Sequence, residues 1–448
     1  MPIPSVSPAT LSNTNLPLLA APLLAMSLLS GCSSPDEPSE YAGATAWTGA
    51  HVWTGTHDGY LEDAAVIVRD GKILAVHRGD LPDDVTREDA SGRYLIPGLI
   101  NAHGHVGMAR GLETGPAIHS RANVESQLQL YARYGITTVV SLGDEPPQAF
   151  EVRDDMDPAD PRMARLQVAG DVLDPPDAAS ARAKVEALMA YNPDWVKIRV
   201  DDHLGTEDKM APDVYGAVTE ASHEFGRPLA SHMVTLEDAK GLLRAGTNLI
   251  AHSVRDAQVD SDMIALMRDR DICITPTLTR EVSVFVYAER PDFFDDPFFL
   301  KAADPAVLEA LQEPSMQARF TGRAADYYRD ALPLAKENMI TLHEAGVRVA
   351  MGTDSGPPAR FQGYFEHMEM AMMQNAGMTP LEVLISATRD AADCSGLGEE
   401  LGTLEEGKWA DFLLLDDDPM EDVAHLRSIA GVVIAGRLQQ FDASPAAP

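Results

Sequence analysis

Trp195-Val196-Lys197-Ile198-Arg199-Val200-Asp201 decides how this chain is read. Val196, Ile198 and Val200 share one face of an extended segment, and the period of two puts Lys197, Arg199 and Asp201 on the other. In a parallel barrel the branched face meets the surrounding helices and the polar face points inward. An inward lysine with no use costs several kcal/mol in desolvation, and only eight of the 35 basic residues are lysines. Lys197 therefore either pairs with an inward acid or a substrate carboxylate, or is carboxylated by CO2 to an anionic carbamate that bridges two divalent cations.

Working outward, strand-like runs alternate with helix-like ones. The strands are expected at 94–96 running on to His105, then at 136–142, 165–169, 195–200, 229–233, 249–254, 272–278 and 347–352. Helical stretches such as 177–191, 212–225 and 236–245 separate them. Eight strands with intervening helices predict an α/β fold, a (β/α)8 TIM-type barrel over 97–406, with its active site at the C-terminal strand ends. Short β segments at both chain ends (41–96 and 407–443) predict a small composite β-sandwich, with Asp70-Gly71 as a hairpin signal. The Phe-, Tyr-, Asp- and Pro-rich stretch 280–330 reads as an insertion over the barrel mouth, a lid or specificity element.

The chain has 448 residues, of which 45% are hydrophobic, enough for one large domain and a satellite. A net charge of −34, from 69 acidic and 35 basic residues, argues against nucleic acid or an anionic membrane surface as partner. Residues 1–32 read as a secretion signal. Leu29-Ser30-Gly31-Cys32 resembles the bacterial lipoprotein cleavage box, although no Lys or Arg precedes Cys32. Residues 33–40 form a polar, Pro-rich tether. The expectation is an exported protein, lipid-anchored on the periplasmic face of a bacterial outer membrane, touching the membrane only through that anchor. Cys273 and Cys394 show no framework spacing and are expected as buried thiols.

Five further candidate ligands stand at predicted strand ends. His103 and His105 follow Pro97-Gly98-Leu99-Ile100-Asn101-Ala102. His232 closes Ala230-Ser231-His232, His252 lies in Ile250-Ala251-His252-Ser253, and Asp354 in Met351-Gly352-Thr353-Asp354-Ser355-Gly356. His232 or His252 alone would read as a core imidazole, and Asp354 as a helix cap. Their twenty-residue spacing, one βα repeat, puts His232 and His252 on adjacent strands. Imidazoles and carboxylates hold a catalytic zinc-type ion while leaving a place for water. Arg199, Arg255 and Arg280 also lie near strand ends and could grip a substrate carboxylate through paired hydrogen bonds. The remaining nine histidines show no such geometry.

On these residues the chain resembles the amidohydrolase superfamily, specifically its binuclear, carboxylated-lysine branch, with imidazolonepropionase-like and metallo-dipeptidase members as the nearest subgroup. The resemblance covers about 41–438, including Leu401-Gly402-Thr403-Leu404-Glu405-Glu406-Gly407-Lys408-Trp409-Ala410-Asp411. It implies one metal on His103, His105 and Asp354 and a second on His232 and His252. Carboxylated Lys197 and a hydroxide would bridge them, with zinc as the default ion. The implied reaction is hydrolysis of a C–N bond in a small amide or dipeptide by that hydroxide, Asp354 accepting the proton and delivering it to the leaving nitrogen. Asn101 departs from the Asp many relatives carry. The Ala251–Asp256 and 363–367 runs look like subgroup features with no substrate attached. A mononuclear deaminase is the nearest alternative; it would lack Lys197 and carry Glu where Thr235 stands. A lactonase- or phosphotriesterase-like hydrolase shares the ligands, and a non-catalytic surface lipoprotein is the remaining class.

Overall fold

The protein is described by a computed structural model over residues 38–441, so the expected leader and residues 33–37 of the tether lie outside the described residues. Strands β1 (Thr45–Val52), β2 (Leu61–Arg69), β3 (Lys72–Arg78), β4 (Thr86–Asp89) and β5 (Tyr94–Pro97) open the chain. Asp70 and Gly71, at φ +52° and +78°, turn β2 into β3, the twist a two-residue hairpin favours. Along β2, Val66 and Val68 enter one apolar cluster and Ala65 and Ile67 another, so this sheet is covered on both faces.

The barrel begins with β6 (Leu99–Gly104), followed by the short hairpin β7 (Ala109–Arg110) and β8 (Glu113–Thr114). Its other strands are β9 (Ile136–Ser141), β10 (Arg165–Val168), β11 (Val172–Leu173), β12 (Val196–Val200), β13 (Leu229–Met233), β14 (Leu249–Ala251) and β15 (Cys273–Thr275). All pairs are parallel: β6, β9 and β10 in one sheet, β11 through β15 in another. Residues 165–173 carry both β10 and β11 and so join the two sheets. The eighth segment, 347–355, makes single parallel bridges, Val349 to Ile274 and Ser355 to Gly104. This is the (β/α)8 TIM-type architecture. Register sets Lys197 opposite Ala230 and Arg199 opposite His232.

The outer helices are amphipathic and locally capped. The helix Leu236–Ala245 buries Leu236, Ala239, Leu242 and Leu243 along one stripe. Thr235 accepts from Asp238 N at its start, and Gly246, at φ +106°, ends it.

Strands β16 (Phe412–Leu415), β17 (Ile429–Ile434) and β18 (Arg437–Leu438) return to the first sheet, where β16 pairs antiparallel with β5. The result is one mixed sheet containing both chain ends. Arg165 of the barrel makes two hydrogen bonds to buried Asp411. Its guanidinium and Lys72 Nζ both lie over the Trp409 ring. This junction combines a charge-assisted bidentate pair with cation–π contact.

Three expectations change. The strand expected at 249–254 stops at Ala251 because His252 takes φ +77°, and the one at 272–278 stops at Thr275 because Thr277 takes φ +50° and a helix starts at Leu278. Cys273 and Cys394 are not free thiols but a disulfide. Their sequence separation of 121 left no local signal, since only the barrel brings β15 to the helix Arg389–Cys394. The 280–330 stretch is a series of short helices around its own aromatic core, in which Tyr287, Phe294 and Phe299 pack against Tyr134, Tyr364 and Phe365. Among the described residues, no helix is long and apolar enough to cross a membrane.

Candidate metal centre

The six strand-end residues converge at one buried place. His105 Nε2 lies 2.6 Å from Asp354 Oδ1, and His103 Nε2 lies 3.6 Å from the same oxygen. Ligand atoms of these three residues all fall within 4.8 Å of one another. Lys197 Nζ is 3.3 Å from His103 Nε2. The His252 ring stands 4.8 Å from that of His103 and 4.3 Å from that of His232.

Backbone geometry aims several of these groups. His252 and Asp354, at φ +77° and +57°, sit in the left-handed region, which costs a non-glycine residue of order 1–3 kcal/mol and is retained where geometry over-determines it. Asp354 N and Thr353 N both donate to His103 O, at 2.7 and 3.0 Å, so the eighth segment is pinned directly to β6. Between the two histidines only glycine fits: a Cβ on Gly104 would stand 2.8 Å from Asn101 Nδ2 and 2.9 Å from Tyr131 Oη.

Each histidine has one nitrogen engaged away from the centre. His105 Nδ1 faces Gly143 O at 2.8 Å, His103 Nδ1 faces Thr275 Oγ1 at 3.3 Å, and His252 Nδ1 faces Thr277 Oγ1 at 2.6 Å. For His232 the engaged atom is Nε2, 3.2 Å from Asp201 Oδ2. Three Nε2 atoms and the His232 Nδ1 are therefore left for a metal. Fixing a histidine through its other nitrogen is how metal sites set tautomer and ring angle. The Gly143 turn is held by Glu145, which accepts from Gly143 N, Ser141 Oγ and Gly170 N.

The electrostatics suit ligation. Burial pushes His103 and His252 well below the usual imidazole range and His232 to about 3, keeping all three neutral, the form that binds metal. Burial raises Asp354, but Arg360 and His105 outweigh it and hold the carboxyl well below its usual range. Burial brings Lys197 down to about 8, against the opposing pull of Asp354. Much of its amine is then neutral near pH 8, the form that reacts with CO2. The donor set, four oriented imidazoles, one carboxylate and one reactive amine, fits two divalent ions.

The three substrate candidates fare differently. Arg199 is half-exposed at the rim, 3.9 Å from Asp144. Arg255 is fully buried, ion-paired to Glu281 and donating to Met233 O. Arg280 shares Glu281 at 2.9 Å and lies over the Tyr328 ring at 4.3 Å. Sequence reasoning missed Arg360, which is ion-paired to Asp354 Oδ2 and donates to Ser283 Oγ. It lies in a loop with no periodicity to mark it. Asp201 was legible as inward-facing but not as the partner of His232. Beyond Arg360 lies a cavity of about 690 Å³ lined by Ala109, Gln127, Val307 and Phe361. None of the six candidate ligands lines it.

A model of the amidohydrolase family matches residues 94–438. An imidazolonepropionase of Agrobacterium fabrum is 26% identical over 378 residues, 80% of this chain and 85% of that protein. A 5-methylthioadenosine/S-adenosylhomocysteine deaminase of Bacillus cytotoxicus is 23% identical over 431 residues, 89% of this chain and 92% of that protein. The crystal structure of a Xaa-Pro dipeptidase with bound methionine shares the fold, with a TM-score of 0.72 at 20% identity, covering 89% of this chain and all of the other. The chain belongs to the amidohydrolase family.

Proposed function

We propose that this hydrolase cleaves the C–N bond of a small amide or dipeptide, using two divalent ions, zinc by default. His103, His105 and Asp354 hold one ion, His232 and His252 the other, and carboxylated Lys197 lies between them. The observation that carries this reading is Lys197 itself, 3% exposed and within 3.3 Å of His103 Nε2. A buried ammonium beside an imidazole is costly, whereas a carbamate there is a ligand.

When bound, such ions supply an acidified water and polarise the scissile carbonyl. The chain's residues do the rest. Asp354 turns Oδ1 to the two histidines and Oδ2 to Arg360. In this reading it takes the proton of the attacking water and returns it to the leaving nitrogen, base and then acid. Arg255 and Arg280 share a single acid, Glu281, which leaves one positive charge over beside the centre and suits a substrate carboxylate.

Export with lipid anchoring at Cys32 is part of the same proposal. The disulfide supports export, though not the anchor itself, because such bonds persist in oxidising compartments.

The test is metal content per chain, purified with bicarbonate, for wild type beside Lys197→Ala. Two equivalents falling to one in the variant is the expected result, followed by turnover of dipeptides or N-acyl amino acids. A single equivalent unaffected by the substitution sinks the bridged centre and favours a mononuclear deaminase.

A further inference from the structure

Glu366 is fully buried, and the metal centre as described makes no use of it. Its Oε1 accepts three hydrogen bonds: from Asn101 Nδ2 at 2.7 Å, Thr353 Oγ1 at 2.7 Å and Ser355 Oγ at 2.6 Å. Asn101 turns its other side-chain atom, Oδ1, to accept from His103 N at 3.0 Å, and it also donates to Thr353 Oγ1 at 3.0 Å. Thr353 Oγ1 in turn accepts from Ser355 N, and Ser355 Oγ meets Tyr131 Oη at 2.7 Å. One carboxylate oxygen thus gathers the residue two before His103 and the residues on either side of Asp354. It stands where β6 and the eighth segment meet, and those two segments carry every ligand of the first half of the centre.

We infer that Glu366 is a positioning residue for the His103, His105 and Asp354 half, holding Asp354 in its left-handed conformation against His103. The inference rests on the metal reading of the site. The three donors to Oε1 are side chains of the barrel, each one or two residues from a candidate ligand. The same geometry explains Asn101. Only an amide can accept from His103 N and donate to Glu366 at once; an aspartate at 101 would set a second carboxylate against the first. Asn101 and Glu366 therefore function as a pair.

The experiment is zinc affinity by competition with a chromophoric chelator in bicarbonate-free buffer, alongside the melting temperature of the metal-free proteins. Glu366→Ala is expected to weaken the tighter zinc site by roughly 10- to 100-fold, the usual effect of removing a residue that orients ligands. Glu366→Gln keeps an oxygen for the three donors and is expected to stay within about threefold of wild type. Asn101→Asp should weaken binding as Glu366→Ala does, and Asn101→Asp with Glu366→Gln should recover most of it, because the amide and carboxylate have changed places. Folded Glu366→Ala with unchanged zinc affinity overturns the inference, as does an Asn101→Asp defect that Glu366→Gln fails to relieve. Wild type that binds no zinc overturns the metal reading as well.

Discussion

The two halves of the centre are built differently. On the His103, His105 and Asp354 side the chain supplies its own carboxylate, already within hydrogen-bonding distance of His105 Nε2. On the His232 and His252 side, the metal-type cluster found among the described residues adds no second carboxylate, and Asp201 instead orients His232 from behind. In the proposed reading the missing negative charge comes from Lys197 after reaction with CO2. In that reading one half has a carboxylate of its own from Asp354, and the other takes its negative charge from the Lys197 bridge, which depends on a dissolved gas and on the protonation state of one amine. Loading of the first half should therefore be intrinsic to the fold, and loading of the second conditional on bicarbonate and pH.

The sharpest way to break this comparison is to remove the carboxylate that belongs to the first half. Asp354→Ala takes away a ligand and the proton carrier together, so kcat should fall by roughly 10⁴-fold, the upper range for a general acid–base. The tighter equivalent of zinc should be lost with it. Retention of that equivalent would show that the halves are not built as described.

A smaller effect sharpens the other side. Asp201→Asn leaves His232 in place but weakens what orients it, so the bicarbonate-dependent second equivalent should bind about 10- to 100-fold more weakly. Titration of the first equivalent should be unmoved. Weakening of both would mean that His232 serves the whole centre.

The smallest effect is on stability, and its sign is diagnostic. Burial brings Lys197 down to about 8 in the folded protein, against about 10.5 for a free lysine amine. The folded state binds that proton less tightly, so burying the charged amine destabilises the metal-free protein fully below pH 8, and the penalty disappears as pH rises to about 10.5. Without bicarbonate, Lys197→Met should be more stable than wild type at pH 7 by up to about 3 kcal/mol. The difference should close by about pH 10.5, as followed by urea denaturation at several pH values. A constant difference across that range would show that the amine's charge is not what destabilises the wild type.

How far the sequence reaches also differs between the halves of the problem. Strand-end positions of His103, His105, Lys197, His232, His252 and Asp354 were legible because a barrel takes inward residues at a period of two and one strand every few tens of residues. The residues that orient them were not. Thr275 and Thr277 look like ordinary strand residues, and Glu366 like an ordinary helical acid, until the fold brings them to His103, His252 and Asn101. Arg360 lies in a loop, where no repeat constrains which way a side chain points. Substrate candidates chosen by strand position suffered from the same limit: Arg255 lies past the end of its strand, and Glu281 on the helix that starts at Leu278 claims it.

The Cys273–Cys394 bond has a practical side. It closes a loop spanning 121 positions, and that stretch contains the aromatic helices, Asp354, Arg360 and Glu366. In the chain-entropy picture a loop of this size is worth roughly 5 kcal/mol, a large part of the margin on which an ordinary domain survives. Protein produced in a reducing cytoplasm, or kept in thiol reductant at the bench, would lack that clamp around the segment that carries Asp354. The thiol would also compete for zinc. Assays of metal content are best made on material oxidised from the start and handled without reductant.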